Sequence, residues 1–444
     1  MRSRIHSRHD TLRSLLILGA FACILALAMV GPGHGPVSGR AEGAAPPPKR
    51  SLAPGPQVVL RAAARKPKKK PKRSATQTSS VVTTPWVVLG YNDLGMHCMN
   101  QDFSEICILP PYNNLHAQVI RRGPEPQIMA LGAVVRYSIP GNTISSNKTN
   151  FWTYARALFG VNLAPDVGLT GNRLSGTMTP TLSRDWQATG IPLTPIMDNG
   201  ALNPYALATI DAYDTGGRKM ATTRAVVPVS WEISCDLCHG VTNTASNILQ
   251  AHDRLHHTNL HNNKPVLCSG CHADPALGKP GVAGVPTLSA SMHTAHASRF
   301  TPAVMNAVGG INCYACHPGI QTHCQRDVHL ANGIHCGDCH GSMAAVGNPL
   351  RTPWVDEPKC SNCHHVPGHQ YEEPGKLYKQ SRGHNGVMCA ACHGSPHAIT
   401  PTVTPNDNVQ ALAIQGHAGT IDRCVVCHKS TPEDGFNHSF DGGD

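Results

Sequence analysis

Seven times along this chain a cysteine is followed three positions later by another cysteine and then at once by a histidine. The copies are Cys235/Cys238/His239, Cys268/Cys271/His272, Cys313/Cys316/His317, Cys336/Cys339/His340, Cys360/Cys363/His364, Cys389/Cys392/His393 and Cys424/Cys427/His428. Two chemistries use such a set. Zinc is the first: Cys313 with Cys316 and Cys336 with Cys339 are CxxC pairs at the spacing of a four-cysteine ribbon. Covalent haem is the second, in which two thiols add across the porphyrin vinyls and the adjoining imidazole ligates the iron. Zinc gives no reason for a histidine directly after the second cysteine, yet all seven copies have one. With 18 cysteines and 27 histidines in 444 residues, chance placement would yield on the order of 0.05 copies. The motifs therefore predict seven c-type haems, attached through all fourteen motif cysteines, with seven proximal histidines.

Residues 233–444 hold 22 of the 27 histidines. Fifteen lie outside the motifs: His252, His256, His257, His261, His293, His296, His323, His329, His335, His365, His369, His384, His397, His417 and His438. They outnumber the irons twofold, so a second imidazole at every iron is possible by count. Methionine is the competing ligand and would raise the potential, but only Met292, Met305, Met343 and Met388 lie in this stretch. An open-site enzyme is sometimes marked by CxxCK, which is absent. Cys324 is left over; it is a free thiol, an intermolecular disulfide, or the first cysteine of a long-spaced CX14CH with His340, for which Cys336 competes.

The elements that must position these groups fall into four stretches. Arg2, Arg4, Arg8 and Arg13 precede an uncharged apolar run at 14–30, which reads 1–41 as an export signal, with an N-terminal anchor as the alternative. Residues 42–83, rich in proline and lysine, read as a disordered linker. The formal charge of +10 arises at the front, since residues 74–444 hold 22 Lys/Arg against 25 Asp/Glu, a net charge of −3. That excludes nucleic-acid binding by a basic folded face; the basic linker has membrane or cell-wall contact open to it. Residues 84–232 carry strand and turn signals and two histidines, His97 and His116, both read as ordinary residues of a β-rich, sandwich-like domain. A hairpin is expected around Gly216 and Gly217, and a local disulfide between Cys98 and Cys107. Residues 233–444 have about 30 residues per haem motif, too few for an ordinary apolar core. The expected fold is α+β and multidomain: the β-rich domain, then a domain of coil and short helix in which the porphyrins are the core.

Several stretches carry a resemblance: CHGSPHAI after the sixth motif, GHNGVMCAACH around it, QGHAGTIDRCVVCH at the seventh, PVLCSGCHADPALG with LSASMHTAHA, and, near the front, LGYNDLGMHCMNQDF with PPYNNLHAQVI. These resemble the exported multihaem c-type cytochromes of metal-reducing and related bacteria. The resemblance implies periplasmic or extracellular electron transfer, with other redox proteins or extracellular acceptors as partners. It also implies distal ligands. A GH before CxxCH nominates His384 and His417, a CHGxxH nominates His397, and MHxxHA nominates His293 and His296. His252 and His438 complete the expected set, with His329, His335, His365 and His369 in reserve. Two alternatives stay open: a multihaem oxidoreductase with one open iron acting on nitrite, hydroxylamine or a sulfur oxyanion, and self-association into a conducting filament.

Overall fold

Strands dominate the first half because β-branched and aromatic residues recur there between glycine and proline turns. A computed structural model describes residues 82–367 and 370–432. The expected export segment, the linker up to residue 81, His369 and His438 lie outside the described residues. In chain order the strands are β1 Trp86–Tyr91, β2 His97–Cys98, β3 Ile106–Cys107, β4 Leu115–Arg121, β5 Gln127–Ile128, β6 Ala133–Ser138, β7 Ser175–Thr177, β8 Thr179–Pro180, β9 Trp186–Ala188, β10 Tyr205–Asp214, β11 Lys219–Ser230 and β12 Val266–Leu267. One sheet runs β1-β4-β9-β8 with β5 beside β4, another runs β2-β11-β10-β6-β7, and β12 pairs with β3. Residues from both five-stranded sheets meet in one apolar core: Val88 and Val119 from the first, Val135, Ile210 and Val227 from the second, with Phe103, Phe151 and Trp186.

Burial patterns follow from what each strand faces. Along β10 the pattern alternates strictly, with Ala206, Ala208, Ile210 and Ala212 buried, as a half-covered strand requires. It forms the expected hairpin with β11, and Gly217 at the turn adopts φ +83°. By contrast β1 is buried at five consecutive positions. Its second face packs with Val87, Leu89 and Tyr91 against Met388, Ala390, Ala391 and Val426, which belong to or flank the sixth and seventh motifs. A continuous apolar run is what a strand covered on both sides needs. Gly90 sits at the tightest point, where a Cβ would come within 2.5 Å of Ile210 Cδ1.

Helices are α1 Phe151–Phe159, α2 Asp236–His239, α3 Thr244–His256, α4 Leu288–His296, α5 Pro302–Ala307, α6 Val328–Ala331, α7 Cys336–His340, α8 Met343–Val346, α9 Cys389–His393 and α10 Val409–Gln415. The fold is thus α+β, and all described residues belong to one compact unit, Ala75–Asp444.

Polar clamps join the strands to the cysteine-rich half. The Glu232 carboxylate accepts from the backbone N–H groups of Gly319, Ile320, Gln321 and Thr322. Gln410 accepts from Gly90 N at 2.7 Å and donates to Gly90 O at 3.0 Å, so one amide satisfies the exposed edge of β1 as a neighbouring strand would. Gln118 does the same for the sixth motif, donating to Gly386 O at 3.2 Å and accepting from Met388 N at 2.9 Å. Arg326, fully buried, pairs with Asp407 at 2.7 Å, donates to Gly95 O at 3.0 Å and lies over the Tyr205 ring at 5.3 Å.

Candidate metal centres

Each CxxCH motif folds as one turn of helix, because its histidine N–H closes back on the first cysteine. The N···O distance is 2.9 Å for His239 to Cys235, 3.0 Å for His272 to Cys268, 2.8 Å for His317 to Cys313, 3.0 Å for His364 to Cys360 and 2.8 Å for His428 to Cys424. The fourth and sixth motifs lie within α7 and α9. On such a turn the two thiols at i and i+3 share a face and the imidazole follows directly, which suits two covalent bonds and one axial ligand on a single planar group.

Among the described residues, a second imidazole stands opposite each of six motif imidazoles. Ring centres are 6.4 Å apart for His239 with His296, 6.3 Å for His272 with His252 and 6.2 Å for His317 with His293. They are 6.0 Å apart for His340 with His397, 6.2 Å for His364 with His329 and 6.1 Å for His428 with His384. An imidazole nitrogen lies about 2.0 Å from a metal it ligates, and the ring centre about 1.1 Å behind it, so two rings across one metal have centres about 6.2 Å apart. Six independent pairs thus have the separation that one intervening metal requires.

The rings are also oriented for it. Nδ1 faces an acceptor in six of them: Pro286 O at 2.9 Å for His272, Pro124 O at 2.9 Å for His428, Thr258 Oγ1 at 2.9 Å for His252, Ser289 O and Met292 O at 2.7 Å for His293 and His296, and Asp327 Oδ2 at 3.0 Å for His329. Thr258 donates its own proton to Asp253 at 2.6 Å, which leaves its oxygen to accept from His252. With Nδ1–H committed, Nε2 carries the lone pair a metal takes. Burial pushes His317 and His397 down to about 4, and it also lowers His239, His252, His293 and His340. Burial thus favours the neutral form of these six imidazoles, the form a ligand takes.

Among the described residues, no group of three or more His, Cys, Asp or Glu side chains converges to hold a metal. Donors arrive in opposed twos. A tetrahedral zinc site needs four converging protein ligands, whereas an iron whose four equatorial positions are filled by porphyrin needs two axial ones. The residues present fit haem: the fourteen motif cysteines for attachment, the motif histidines below and the six partners above.

The motif thiols are not equally enclosed. Cys271 is exposed, while Cys268, the other thiol of its motif, is half-buried. The cause is local. The Cys271 carbonyl accepts from Val282 N at 2.8 Å, and Gly281 packs so closely that a Cβ there would lie 2.9 Å from the same oxygen. That loop covers the backbone side of Cys271 and leaves its side chain at the surface. The two thiols of the second motif lie within electrostatic reach of each other although one of them faces solvent. Cys238, Cys339 and Cys363, the second thiols of the first, fourth and fifth motifs, are likewise exposed, whereas Cys389 of the sixth is buried.

Of the distal candidates, His252, His293, His296, His384 and His397 each face a motif histidine. His417 does not: its Nε2 lies 3.2 Å from Asp422 Oδ1 and its Nδ1 3.1 Å from Ala418 O, so a local turn takes both nitrogens. His329, held in reserve by the sequence, faces His364 because Asp327, two residues before it, both caps α6 and orients the ring. That Asp-x-His spacing is the one signal that could have nominated it. His97 and His116 stay in the β region. His97 Nε2 meets Pro110 O at 2.7 Å, and His116 lies between Asp185 at 2.9 Å and Asp93 at 3.4 Å.

The expected Cys98–Cys107 disulfide is absent, both residues being free thiols. Their strands diverge, β2 pairing with β11 and β3 with β12. Cys98 consequently feels Cys324 and Glu232, while Cys107 feels Cys268. Cys324 Sγ lies 3.9 Å from His397 Nδ1. No helix among the described residues is long and apolar enough to cross a membrane.

Comparison of the chain with protein-family models, with curated proteins and with solved structures returned no match.

Proposed function

We propose that this chain is an exported multihaem c-type cytochrome that carries electrons along seven covalently held haems and turns over no substrate. One observation carries the reading: six motif imidazoles each face a second imidazole at 6.0–6.4 Å. Haem, when bound, supplies an iron that gains and loses one electron at a potential set by its ligands and surroundings. The chain's own residues do the rest. Paired thiols would attach the group covalently, and the paired imidazoles would ligate its iron and keep small molecules from it. Pro286, Pro124, Ser289 and Met292 carbonyls hold the rings in one tautomer and orientation. At His329 the acceptor is the Asp327 carboxylate, which would make the ring a stronger donor and would favour a lower potential for an iron it ligates.

Other redox proteins or an extracellular acceptor are the partners this role calls for. Two measurements on the purified, fully oxidised protein test it. A pyridine haemochrome assay is expected to return seven haems per chain, and the electron paramagnetic resonance spectrum is expected to be low-spin for at least six. Zinc in place of haem, or high-spin iron at several sites, overturns the reading. A high-spin signal integrating to a single haem would assign substrate chemistry to one iron.

A further inference from the structure

We infer that the seven centres follow one another in space in the order two, one, three, four, five, six, seven, so that the first and third motifs are direct neighbours and the second lies at one end. The inference rests on the haem reading above and deepens it: chain order and conduction order differ.

Helix α4 supplies the main observation. His293 faces His317 of the third motif, and His296, three residues on, faces His239 of the first. Residues three apart on a helix project from adjacent points of one face, with Cβ atoms about 5–6 Å apart. One turn of α4 therefore holds the ligands of two irons whose motifs are separated in sequence by the whole second motif. The thiols agree, since Cys316 of the third motif lies within electrostatic reach of Cys235 and Cys238 of the first. Helix α4 is itself pinned. Thr287 caps its start, accepting from Ala290 N at 3.1 Å, and Thr294 Oγ1 donates to Gly347 O at 3.0 Å, just beyond α8.

The second motif attaches to this pair from outside. Its partner His252 stands on α3, the helix that follows the first motif, and Asn247 of α3 donates to His239 O at 2.7 Å. Beyond the third motif the contacts run in sequence. Cys313 meets Cys336, and Cys339 lies within electrostatic reach of Cys363, Cys389 of Cys360 and Cys392 of Cys427. Ile421 N also bonds Cys392 O at 3.1 Å, tying the seventh motif to the sixth. The second and seventh motifs are the two ends, where electrons enter and leave.

Electron paramagnetic resonance of paired ligand deletions tests the order on the haem-loaded chain. His293→Ala and His296→Ala each open one iron and give one high-spin signal. In the double variant the two signals are expected to broaden through mutual magnetic coupling and to depart from the sum of the singles. The control is His252→Ala with His293→Ala, which opens the second and third irons; its spectrum is expected to equal the sum. Coupling in the control with additivity in the α4 double variant overturns the inference while leaving the haem reading intact. Absence of any haem signal from the parent chain overturns both. Should a variant lose haem, iron anomalous scattering from crystals of the unaltered protein decides the matter: a second iron lying between the first and third overturns the order, and a first iron lying between the second and third upholds it.

Discussion

The two halves of this molecule bury different things. Of the twelve largest fully buried side chains, eleven lie between Leu89 and Ile210, among them Trp186, Phe103 and Phe151, and the twelfth is Arg326, a charge. The strand half is thus held by apolar packing of the ordinary kind. The cysteine-rich half buries mainly alanine and valine with a few larger groups such as Tyr314 and Ile414, and its order comes from backbone clamps and opposed imidazoles. On the proposed reading, porphyrin faces would supply the flat apolar surface that aromatic side chains supply elsewhere.

The sharpest way to break this contrast is to withhold haem. In a chain with all fourteen motif cysteines replaced by serine, amide protons of the β10–β11 hairpin are expected to stay protected from exchange while those of residues 236–428 lose protection by about 1000-fold or more. Retained protection in the second half would show that it folds on protein contacts alone. Next in size, Trp186→Ala and Arg326→Ala are each expected to destabilise the chain by about 3–5 kcal/mol, the first through a cavity and the second by leaving Asp407 buried and unpaired. Denaturant unfolding of the haem-loaded protein checks both, and a neutral Arg326→Ala would remove that residue from the account. Gln410→Ala, which strands the Gly90 N–H and C=O, is expected to cost about 1–3 kcal/mol by the same measurement.

The smallest effects are in pH. His116 is pushed up to about 9 by its hydrogen bonds to Asp185 and Asp93, which outweigh its burial. Its folded value exceeds the unfolded one, so its contribution is fully present below about pH 6.5 and is lost as pH rises through about 9. Thermal unfolding of the His116→Gln variant is expected to lose that alkaline dependence. Glu232 behaves oppositely. Four backbone donors and the Thr322 hydroxyl hold its carboxyl below the usual range, against a desolvation that raises it. Its contribution is present above the unfolded carboxylate value and lost as pH falls through the lowered one, so Glu232→Gln is expected to flatten the acid limb alone.

Local signals were the readable ones. Alternation along Tyr205–Asp214 and the Gly216–Gly217 turn specify the β10–β11 hairpin, since both depend on neighbours in sequence. The WVVLGY run reads as a strand, but its double burial depends on residues some 300 positions away, which no window reveals. The CxxCH motifs are equally local, but how deeply each thiol sits is not: Cys271 and Cys392 hold the same place in their motifs, yet one is exposed and the other half-buried. Distal ligands are harder still, because what decides them is which chain segment folds across which. QGHAG made His417 attractive on pattern, yet Asp422 captures it within the same turn, whereas His329 reaches the fifth motif from before the fourth. The Cys98–Cys107 expectation failed for a related reason: nearness in sequence gave way to two strands that pair with different partners.

The outer face of β1 has a consequence for how the molecule comes to be made. Val87, Leu89 and Tyr91 are synthesised early, and the residues that cover them, Met388 to Val426, are synthesised late. The strand half can assemble as it is synthesised, since domains form in the order of their synthesis, but one of its sheets stays uncovered until the sixth and seventh motifs arrive. For that interval the unfinished chain carries an apolar strip in water. Closure of the strip is therefore a completion signal written into the chain's own timetable: a chain cut short before Met388 keeps the strip exposed and is marked for aggregation or removal, and one that docks its last two motifs has passed its final checkpoint.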